Sequence, residues 1–595
     1  MRSVPRFLRL AWEIHRGYAL ATGVLRLARA GVPIATLWVA KLIIDAVAAA
    51  RMGNPDASRL WALVALEMAI VLAGEALSKV SAAVEGLFGD LCSNHISERL
   101  IRHAATLDLC RFEDPAFYDQ LERAQRQTTG RIGLLVQLMA VCQDLLTLAS
   151  LAAAIFVYSP WVLTLLIAAV LPGFFGETHF TSLEYSLLYR WTPERRQLDY
   201  LRFLGASDKT AKEVQMFGLA GWLERRYRTL AQRFFQENRR LAVRRSITAT
   251  LLSMLGMLGY YGAYVIILAR GFYGVITIGA VTFLAASFAR SRDVSQRLLV
   301  TAGNIYEQSL YTQDLFDFFQ MKPTILSPPG AIGVPARLRD GVRFESVGFR
   351  YPGSDVWALR HIDLRIAPGE RLALVGENGA GKTTLTKLLA RLYDPTEGRI
   401  LLDGVDLRDY DVGSLRRAIG VIFQDFVRYD MRFDQNIAVG RIEDMEHQLE
   451  RGQPPAALVD AAEKSLAASL LPRFPNGYRQ MLGRRFEGGV DLSGGEWQKI
   501  ALARAYIRNA QIVILDEPTA ALDARAEYEV FTRFAELVAG QTAILISHRF
   551  STVRMAERIV VLQRGELVEE GTHAQLMAGN GLYAELFNMQ AEGYR

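Results

Sequence analysis

Long apolar segments alternate with charged stretches over the first 292 residues of the chain. A helix needs roughly 20 apolar residues to cross the hydrocarbon core of a bilayer. Six segments have about this length or more, and they are 18–47, 60–85, 132–157, 161–178, 246–270 and 274–292. The pattern therefore predicts six membrane-spanning helices.

The connections between these segments alternate between short and long. The short ones are 48–59, 158–160 and 271–273, whereas the long ones, near 86–131 and 179–245, carry most of the Lys and Arg outside the C-terminal half. Positively charged loops remain on the cytoplasmic side of a membrane. We therefore expect both termini and both long loops in the cytoplasm. The long loops hold little proline, which favours helices that continue well beyond the bilayer.

Both flanks of the apolar region have a character of their own. Residues 1–17 mix arginines with apolar residues and lack the short apolar core and cleavage site of a signal peptide, so we expect an amphipathic elbow helix on the cytoplasmic surface. Residues 322–340 are rich in Pro and Gly, which is typical of a linker. The chain thus divides into this elbow, a six-helix transmembrane domain (18–321), the linker and a C-terminal domain (341–595).

Composition narrows the classes of partner. The chain has 595 residues, of which 51% are hydrophobic, and its net charge is +6. That charge is small for the length and forms no concentrated basic face, so a nucleic-acid partner is not expected. Cys92, Cys110 and Cys142 lack the spacing of metal ligands. An odd, sparse set of cysteines is not a disulfide framework and indicates a reducing compartment.

From about residue 342 the pattern changes to short β-like runs with glycine turns, and one of these runs leads into the loop "GENGAGKTT". A strand, this loop and a helix in succession form a phosphate-binding unit, in which glycines let the backbone wrap the phosphates. The lysine reaches the β- and γ-phosphate oxygens and the first threonine binds Mg²⁺. The loop residues are Gly376, Glu377, Asn378, Gly379, Ala380, Gly381, Lys382, Thr383 and Thr384.

Two further stretches carry chemistry. An apolar strand, "IVILDEP", ends in Asp516 and Glu517. Asp516 is positioned to hold the Mg²⁺ shell, and Glu517 to polarise an attacking water. The stretch "LSGGE" supplies Ser493, Gly494, Gly495 and Glu496 at the start of an amphipathic helix, where open backbone N–H groups favour a phosphate.

These motifs, in this order and spacing, resemble the ATP-binding domain of ABC transporters over residues 342–590, and the six upstream spans resemble the membrane domain of the exporter type. The resemblance implies an α-helical six-span transmembrane domain with long cytoplasmic helical extensions, and an α/β P-loop NTPase domain with a helical subdomain. It also implies ATP and Mg²⁺ as cofactors.

The resemblance implies roles for four more residues. Tyr351 corresponds to the aromatic residue that stacks on adenine, although a strand-edge tyrosine is the alternative. Gln424 corresponds to the glutamine that contacts Mg²⁺ or the lytic water. His548 corresponds to the switch histidine near the γ-phosphate, and, with Glu517, completes the catalytic pair. Asp523 corresponds to the loop that communicates between two sites.

In ABC transporters two ATP-binding domains meet head to tail, and each signature helix covers the nucleotide of the other domain. This chain has a single set of motifs, so its signature residues are expected to serve a partner: a second copy of the chain in the simplest interpretation, or a different chain in a heterodimer. Glu496 departs from the usual glutamine at its position, which puts the usual side-chain amide contact with the nucleotide in doubt.

Two segments in the long loops resemble the coupling helices of exporters. The first, 111–124, offers Phe112, Phe117 and Tyr118, and the second, 211–226, offers Met216 and Phe217, which the pattern predicts to be exposed with Leu219. Ordinary packing corners are the alternative interpretation.

Charged residues inside predicted spans are costly and therefore informative. Arg26, Lys41, Glu67 and Asp144 lie in such positions. Lys41 and Glu67 have similar predicted depths, so we expect an ion pair between them. These charges either pair or snorkel structurally, or they line a polar transport cavity.

The resemblance implies an ATP-driven exporter of a bacterial-type cytoplasmic membrane that works by alternating access with two composite ATP sites. The motifs "FEDPAFYDQL" and "FQDFVRYDMRFDQNI" are similar to those of exporters of lantibiotic and lasso peptides, which indicates a peptide or an amphipathic or hydrophobic small molecule as cargo. A lipid flippase, or an ATP-switched membrane regulator or channel, is the alternative.

Overall fold

The structure, a computed structural model, describes most of the chain. The described residues are 3–52, 56–114, 117, 120–121, 133–158, 160–161, 163–165, 167–168, 176, 179–180, 183, 187, 191–516, 532–538, 540–547, 553–554 and 556–592. The chain forms two compact units. The first comprises Met1–Ala105 and Tyr118–Met321, and the second comprises Thr106–Phe117 and Lys322–Arg595.

The described residues of the first unit form helices and short connections. In chain order up to Gln320, the helices are α1 (Ser3–Ile14), α2 (Arg16–Arg51), α3 (Ala57–Ala104), α4 (Leu109–Phe112), α5 (Gly133–Tyr158), α6 (Thr192–Ala206), α7 (Ala211–Met216), α8 (Ala220–Phe272) and α9 (Ile278–Gln320). All of them except α4 belong to the first unit. The 48 residues of α3 and the 53 of α8 far exceed one bilayer crossing, which agrees with the prediction of helices that extend beyond the membrane.

Four helices within the described residues are long and apolar enough to cross a membrane: α2, α3, the Val136–Tyr158 part of α5, and α8. The sixth predicted span begins α9, whose first 18 residues already contain Arg290, Arg292 and Asp293. This helix is therefore apolar over a shorter length than the others. The fourth predicted span, 161–178, lies largely outside the described residues.

Side-chain caps start several of these helices. The Asp56 carboxylate accepts a hydrogen bond from the Arg59 N–H at the start of α3, and the Thr277 hydroxyl accepts one from the Ala280 N–H at the start of α9. The first turn of α9 has a second, distant acceptor, because Asp45 Oδ1 of α2 accepts from the Gly279 N–H at 2.9 Å. These contacts satisfy N–H groups that have no partner inside the helix.

The second unit contains two sheets. Its strands are β1 (Val342–Arg350), β2 (Trp357–Ile366), β3 (Arg371–Val375), β4 (Glu397–Leu402), β5 (Val405–Asp406), β6 (Ile419–Ile422), β7 (Ile512–Asp516), β8 (Thr542–Ile546), β9 (Arg558–Gln563) and β10 (Glu566–Gly571). One sheet has the order β2-β1-β4-β5 and the other has the order β10-β9-β3-β8-β7-β6. Pairing within β9-β3-β8-β7-β6 is parallel, and β7 and β8 are buried along their whole length, as expected for a sheet covered on both faces.

Helices of the second unit flank these sheets or form a subdomain. They are α10 (Lys382–Leu389), α11 (Val412–Ala418), α12 (Phe433–Ala438), α13 (Glu446–Glu450), α14 (Ala456–Lys464), α15 (Gly494–Arg508), α16 (His573–Ala578) and α17 (Leu582–Glu592), with 3₁₀ turns at Leu407–Asp409, Val439–Asp444, Ala467–Arg473 and Gly477–Arg479. Residues between 433 and 507 share a hydrophobic core of their own around Phe433, Trp497 and Ile500. The predicted α/β domain with a helical subdomain is therefore confirmed.

The short segment Thr106–Phe117 folds with the second unit although the sequence assigns it to the first long loop. Leu109 and Cys110 pack against the main core of the sheet domain. The carboxylate of Asp108, a residue only 6% exposed, accepts hydrogen bonds from the Thr324 N–H at 2.6 Å, the Thr324 hydroxyl at 2.7 Å and the Ile325 N–H at 3.1 Å. The segment is thus fastened to the start of the linker.

Candidate nucleotide site

The glycine-rich loop follows β3 and leads directly into α10, as its motif requires. Gly376 has a φ of +153° and Gly381 has a φ of +105°. A Cβ atom at position 376 would lie 2.2 Å from the Leu562 carbonyl oxygen, and one at position 381 would lie 2.6 Å from Leu359 Cδ2. Both positions therefore require glycine, because of the backbone angle and the close approach together.

Lys382 is the first residue of α10 and is 7% exposed. Its Nζ donates to the carbonyl oxygens of Gly376, at 2.7 Å, and Glu377, at 2.9 Å. A buried ammonium group needs such partners, and these hold it against the loop that would wrap a phosphate. The N-terminus of α10, with its exposed dipole and this cation, favours an anion at the loop.

Thr383 and Asp516 bring oxygen ligands together beside this loop. Thr383 Oγ1 donates to Asp516 Oδ2 at 3.0 Å, and Asp516 is 3% exposed at the end of β7. Mg²⁺ takes hard oxygen ligands and is commonly held by one or two protein groups together with phosphate oxygens and waters. A hydroxyl and a carboxylate beside a phosphate loop fit this kind of site.

Gln424 lies at the same edge of the sheet as Asp516. Strands β6 and β7 run parallel with Ile422 opposite Leu515. Asp516 follows Leu515 directly, and Gln424 lies two residues beyond Ile422, exposed in the turn that follows β6. The two side chains therefore belong to one end of adjacent strands, where ligands of parallel sheets bind.

Tyr351 follows β1 and is tied to the phosphate loop by its hydroxyl group, which shares a hydrogen bond of 3.0 Å with Thr384 Oγ1. Its half-buried ring packs edge to face against Phe349 and Tyr393, with centroid distances of 5.0 and 5.5 Å. The tyrosine is thus a neighbour of the loop rather than an isolated strand-edge residue.

Three residues predicted for the nucleotide site lie outside the described residues: Glu517, Asp523 and His548. Glu517 follows Asp516 in the chain, and His548 follows Ser547, which is 2% exposed. Their roles stay predictions.

The signature stretch forms the N-terminus of α15 through a reciprocal cap. Ser493 Oγ accepts from the Glu496 N–H at 3.4 Å, and Glu496 Oε2 accepts from the Ser493 N–H at 2.8 Å, the arrangement of a capping box. Arg473 forms an ion pair with the other carboxylate oxygen of Glu496. Gly494 and Gly495 occupy the first two helical positions.

Of these contacts, the ion pair with Arg473 distinguishes Glu496 from the usual glutamine. Burial raises the pKa of this carboxyl, but the hydrogen bonds with Ser493 and the charge of Arg473 lower it by more, so the net pKa lies below its ordinary value. The charged side chain is engaged by Ser493 and Arg473 of its own unit. A glutamic acid at this position therefore has a structural use in the cap.

The aromatic residues of the first candidate coupling segment divide between surface and interior. Phe117 is 3% exposed and its ring contacts Phe112, which is 42% exposed, at a centroid distance of 5.1 Å. Tyr118 lies outside the described residues. In the second segment Met216 and Phe217 are 84% and 70% exposed, which confirms the predicted exposure of this pair. Leu219, in contrast, is half-buried.

The one predicted pairing of intramembrane charges differs from the structure. The predicted Lys41–Glu67 ion pair is wrong, because Lys41 Nζ instead donates to the Tyr158 hydroxyl at 2.7 Å and lies 4.5 Å from the centroid of the Trp38 ring. Packing turns Lys41 of α2 towards α5 rather than towards Glu67 of α3.

Arg26 and Asp144 are each paired. Arg26 Nε and Nη2 both donate to the Glu85 carboxylate at 2.7 Å, and Nη1 donates to the Gln143 side chain at 3.2 Å. Asp144 lies 3.4 Å from Arg297. Sequence reasoning missed Glu85 as a partner of Arg26, because Glu85 ends its predicted span (60–85) whereas Arg26 lies well inside its own (18–47), so depth along the spans does not match the two residues.

Comparison with known proteins agrees with this geometry. The family model of the ABC transporter matches residues 359–520. The chain is 28% identical over 596 residues to the subtilin transport ATP-binding protein SpaT of Bacillus subtilis, covering 98% of this chain and 94% of that protein. It is 33% identical over 471 residues to an ATP-dependent lipid A-core flippase of Cupriavidus metallidurans, covering 76% and 74%.

A solved structure resembles the whole chain. It is a bacterial Atm1-family ABC exporter with ATP bound, similar with a TM-score of 0.81 and 26% identity over 97% of this chain and 98% of that one. The predicted ATP-binding domain, the fused membrane domain and ATP-driven export are thereby confirmed. The protein is embedded in a membrane, binds ATP and couples its hydrolysis to transport. The chain belongs to the ABC transporter family, as an exporter-type half-transporter that carries a membrane domain and an ATP-binding domain in one polypeptide.

Proposed function

We propose that this exporter moves a peptide or an amphipathic or hydrophobic small molecule out of the cytoplasm, by alternating access and as a dimer with two composite ATP sites. The observation that carries the ATP-driven part is the contact of Thr383 with Asp516 beside the glycine-rich loop. The similarity to the subtilin transport protein supports a peptide cargo, since it extends over 98% of the chain.

At each ATP site the loop N–H groups and Lys382 bind the phosphates, and Tyr351 stacks on adenine. Thr383, Asp516 and Gln424 would hold Mg²⁺, which neutralises charge on the β- and γ-phosphate oxygens when bound. Glu517 accepts a proton from the attacking water as the water oxygen bonds to the γ-phosphorus and the bond between the γ-phosphorus and the ADP oxygen breaks. His548 donates to the γ-phosphate, and Asp523 communicates with the second site.

The signature residues complete the site of the partner. Ser493 and Glu496 cap α15, and the N–H groups of Gly494 and Gly495 begin this helix. These donors and the helix dipole suit a γ-phosphate presented by another chain. A homodimer is the simplest assembly, and a heterodimer with a related chain is the alternative.

Closure of the two ATP-binding domains on ATP supplies the driving force, because a ligand shifts an equilibrium by its preference for one state. Two candidate coupling segments transmit this closure to the membrane domain. The first contains Phe112, Phe117 and Tyr118, and the second contains Met216 and Phe217. The positive loops support a cytoplasmic-membrane location with both termini and the ATP-binding domain in the cytoplasm.

A lipid flippase is the second candidate function, and the 33% identity to the lipid A-core flippase over 76% of the chain favours it. Transport in inside-out vesicles separates the two. ATP-dependent uptake of lantibiotic-type peptides, with matching stimulation of ATPase activity, is the expected result. Stimulation and translocation of labelled lipid without peptide uptake would favour the flippase, and ATPase activity with neither would overturn the proposed cargo.

The matched negative control is Glu517→Gln. It should abolish ATP turnover and uptake while the protein still binds ATP, because an amide cannot take the proton of the attacking water. Substantial remaining turnover would refute the role proposed for Glu517.

A further inference from the structure

Glu113, in the turn that follows α4, is held by two residues of the ATP-binding domain. Its Oε1 accepts from Lys387 Nζ at 3.1 Å, and its Oε2 accepts from the Tyr393 hydroxyl at 2.5 Å. All three residues belong to the second unit. Both carboxylate oxygens are thus engaged, and Glu113 binds the helix of the phosphate loop and the turn that follows it.

Lys387 and Tyr393 meet again at Tyr351. The Lys387 ammonium lies 5.5 Å from the centroid of the Tyr351 ring, within the range of a cation–π contact. The Tyr393 ring packs against Tyr351 almost perpendicularly, at 83° and a centroid distance of 5.5 Å. Tyr351 is in turn bonded to Thr384 of the phosphate loop. Glu113 is therefore one residue removed from the ring by two separate routes.

Electrostatic interactions order the side chains of Glu113, Lys387 and Tyr393. Tyr393 is 5% exposed, and burial raises its pKa, with the hydrogen bond to Glu113 and the charge of Glu113 raising it further. The phenol therefore stays a donor to the carboxylate. The side chains of Lys387 and Glu113 are 22% and 44% exposed, so this ion pair contributes little to overall stability. Its evident effect is to orient Lys387 and Tyr393.

We propose that Glu113 is a positioning residue for nucleotide binding, which acts through Lys387 and Tyr393 on the ring of Tyr351. This inference rests on the proposed stacking of Tyr351 on adenine. The segment Thr106–Phe117, which contains Glu113, follows α3 in the chain. By reciprocity, a bound adenine stabilises the position of the segment.

The test compares ATP kinetics of the full-length protein in lipid for the wild type and for Glu113→Ala, Glu113→Gln and Lys387→Met, with Glu446→Gln, an exposed acid of α13, as a matched control. The expected result for Glu113→Ala is a KM for ATP raised about 5-fold with kcat within about 2-fold, at the low end of site-to-site coupling. Inhibition by tripolyphosphate, which has no base, should be unchanged. An equal loss of affinity for ATP and tripolyphosphate would overturn the proposal.

A double-mutant cycle with Tyr351→Ala identifies the route. If Glu113 acts through the tyrosine, Glu113→Ala has no further effect on KM in the Tyr351→Ala background; a full additional effect would overturn the inference. The cycle also separates the two proposals. An unchanged KM in Tyr351→Ala alone refutes adenine stacking, whereas a raised KM in Tyr351→Ala with an unchanged KM in Glu113→Ala refutes the role of Glu113 alone.

Discussion

The hydroxyl group of Thr383 and the carboxylate of Asp516 are 3.0 Å from heavy atom to heavy atom, although 133 positions separate them in the chain. Parallel pairing of the strands that precede them brings the phosphate loop and the acidic strand end to one edge of the sheet. This contact unites two motifs that the sequence presents separately.

Thr383→Ala should lower ATP turnover by about 100-fold or more, the scale on which removal of one charge-stabilising group acts. The reason is the loss of the Thr383 hydroxyl oxygen, which is proposed to bind Mg²⁺ together with Asp516. Measuring ATPase activity across a Mg²⁺ titration tests the expected loss of turnover. Thr383→Ser keeps the hydroxyl and should remain within a few-fold of the wild type. Wild-type turnover in the alanine variant would contradict the assignment.

Glu496→Ala should destabilise the start of α15 by about 1 kcal/mol, because the capping box loses one of its two hydrogen bonds. Glu496→Gln keeps an acceptor for the Ser493 N–H and should have a smaller effect. Neither change is expected to lower ATP affinity, since the carboxylate faces Ser493 and Arg473. Thermal unfolding and ATP binding measure the two effects, and a large loss of ATP affinity in Glu496→Gln would contradict the capping role.

The same residue has a pH signature. The pKa of Glu496 is lowered in the folded protein, so its stabilising contribution is present above the ordinary glutamate pKa and is lost as pH falls through the lowered value. Unfolding of the wild type and of Glu496→Gln should therefore converge at low pH. A difference that is constant across the acid range would contradict this explanation.

Arg26→Leu should destabilise the membrane domain by about 3–5 kcal/mol, because the charge of Glu85 would remain without its partner in a site where both side chains are nearly buried. Arg26→Leu combined with Glu85→Leu should restore much of the loss. Thermal stability in lipid is the measurement. Arg9→Leu, which breaks the exposed Arg9–Glu13 pair, is the control and should have little effect. A double variant as unstable as the single one would show that charge pairing is not the cause.

Asp108→Ala should loosen the link between the segment Thr106–Phe117 and the linker. Two backbone N–H groups, of Thr324 and Ile325, lose their acceptor, and each such group costs about 1–3 kcal/mol when it stays buried. Asp108→Asn keeps one acceptor oxygen and should be milder. Limited proteolysis of the linker and thermal unfolding measure the effect, and Asp355→Ala, a change at an exposed residue, is the control. Equal behaviour of Asp108→Ala and this control would show that Asp108 does not fasten the segment to the linker.

Local patterns were sufficient for much of this protein. A phosphate loop requires its glycines, its lysine and its threonine close together in the sequence, and a membrane span requires a run of apolar residues. Both features can therefore be predicted from one continuous stretch of sequence. The strand that ends in Asp516 and the cap that begins at Ser493 are local in the same way. These local patterns by themselves identified an ATP-binding domain joined to membrane helices.

Partners across the fold depended on the tertiary structure. Lys41 and Glu67 have matching depths, but the rotation of each helix about its axis directs Lys41 to Tyr158, and depth along a sequence does not reveal that rotation. Glu113 and Tyr393 are 280 positions apart, and no periodicity links them. The sequence alone determined which chemistry the chain carries, because that chemistry needs particular residues in order. Only packing decided which side chains hold one another, because charge pairs and ring contacts require orientation as well as residue type.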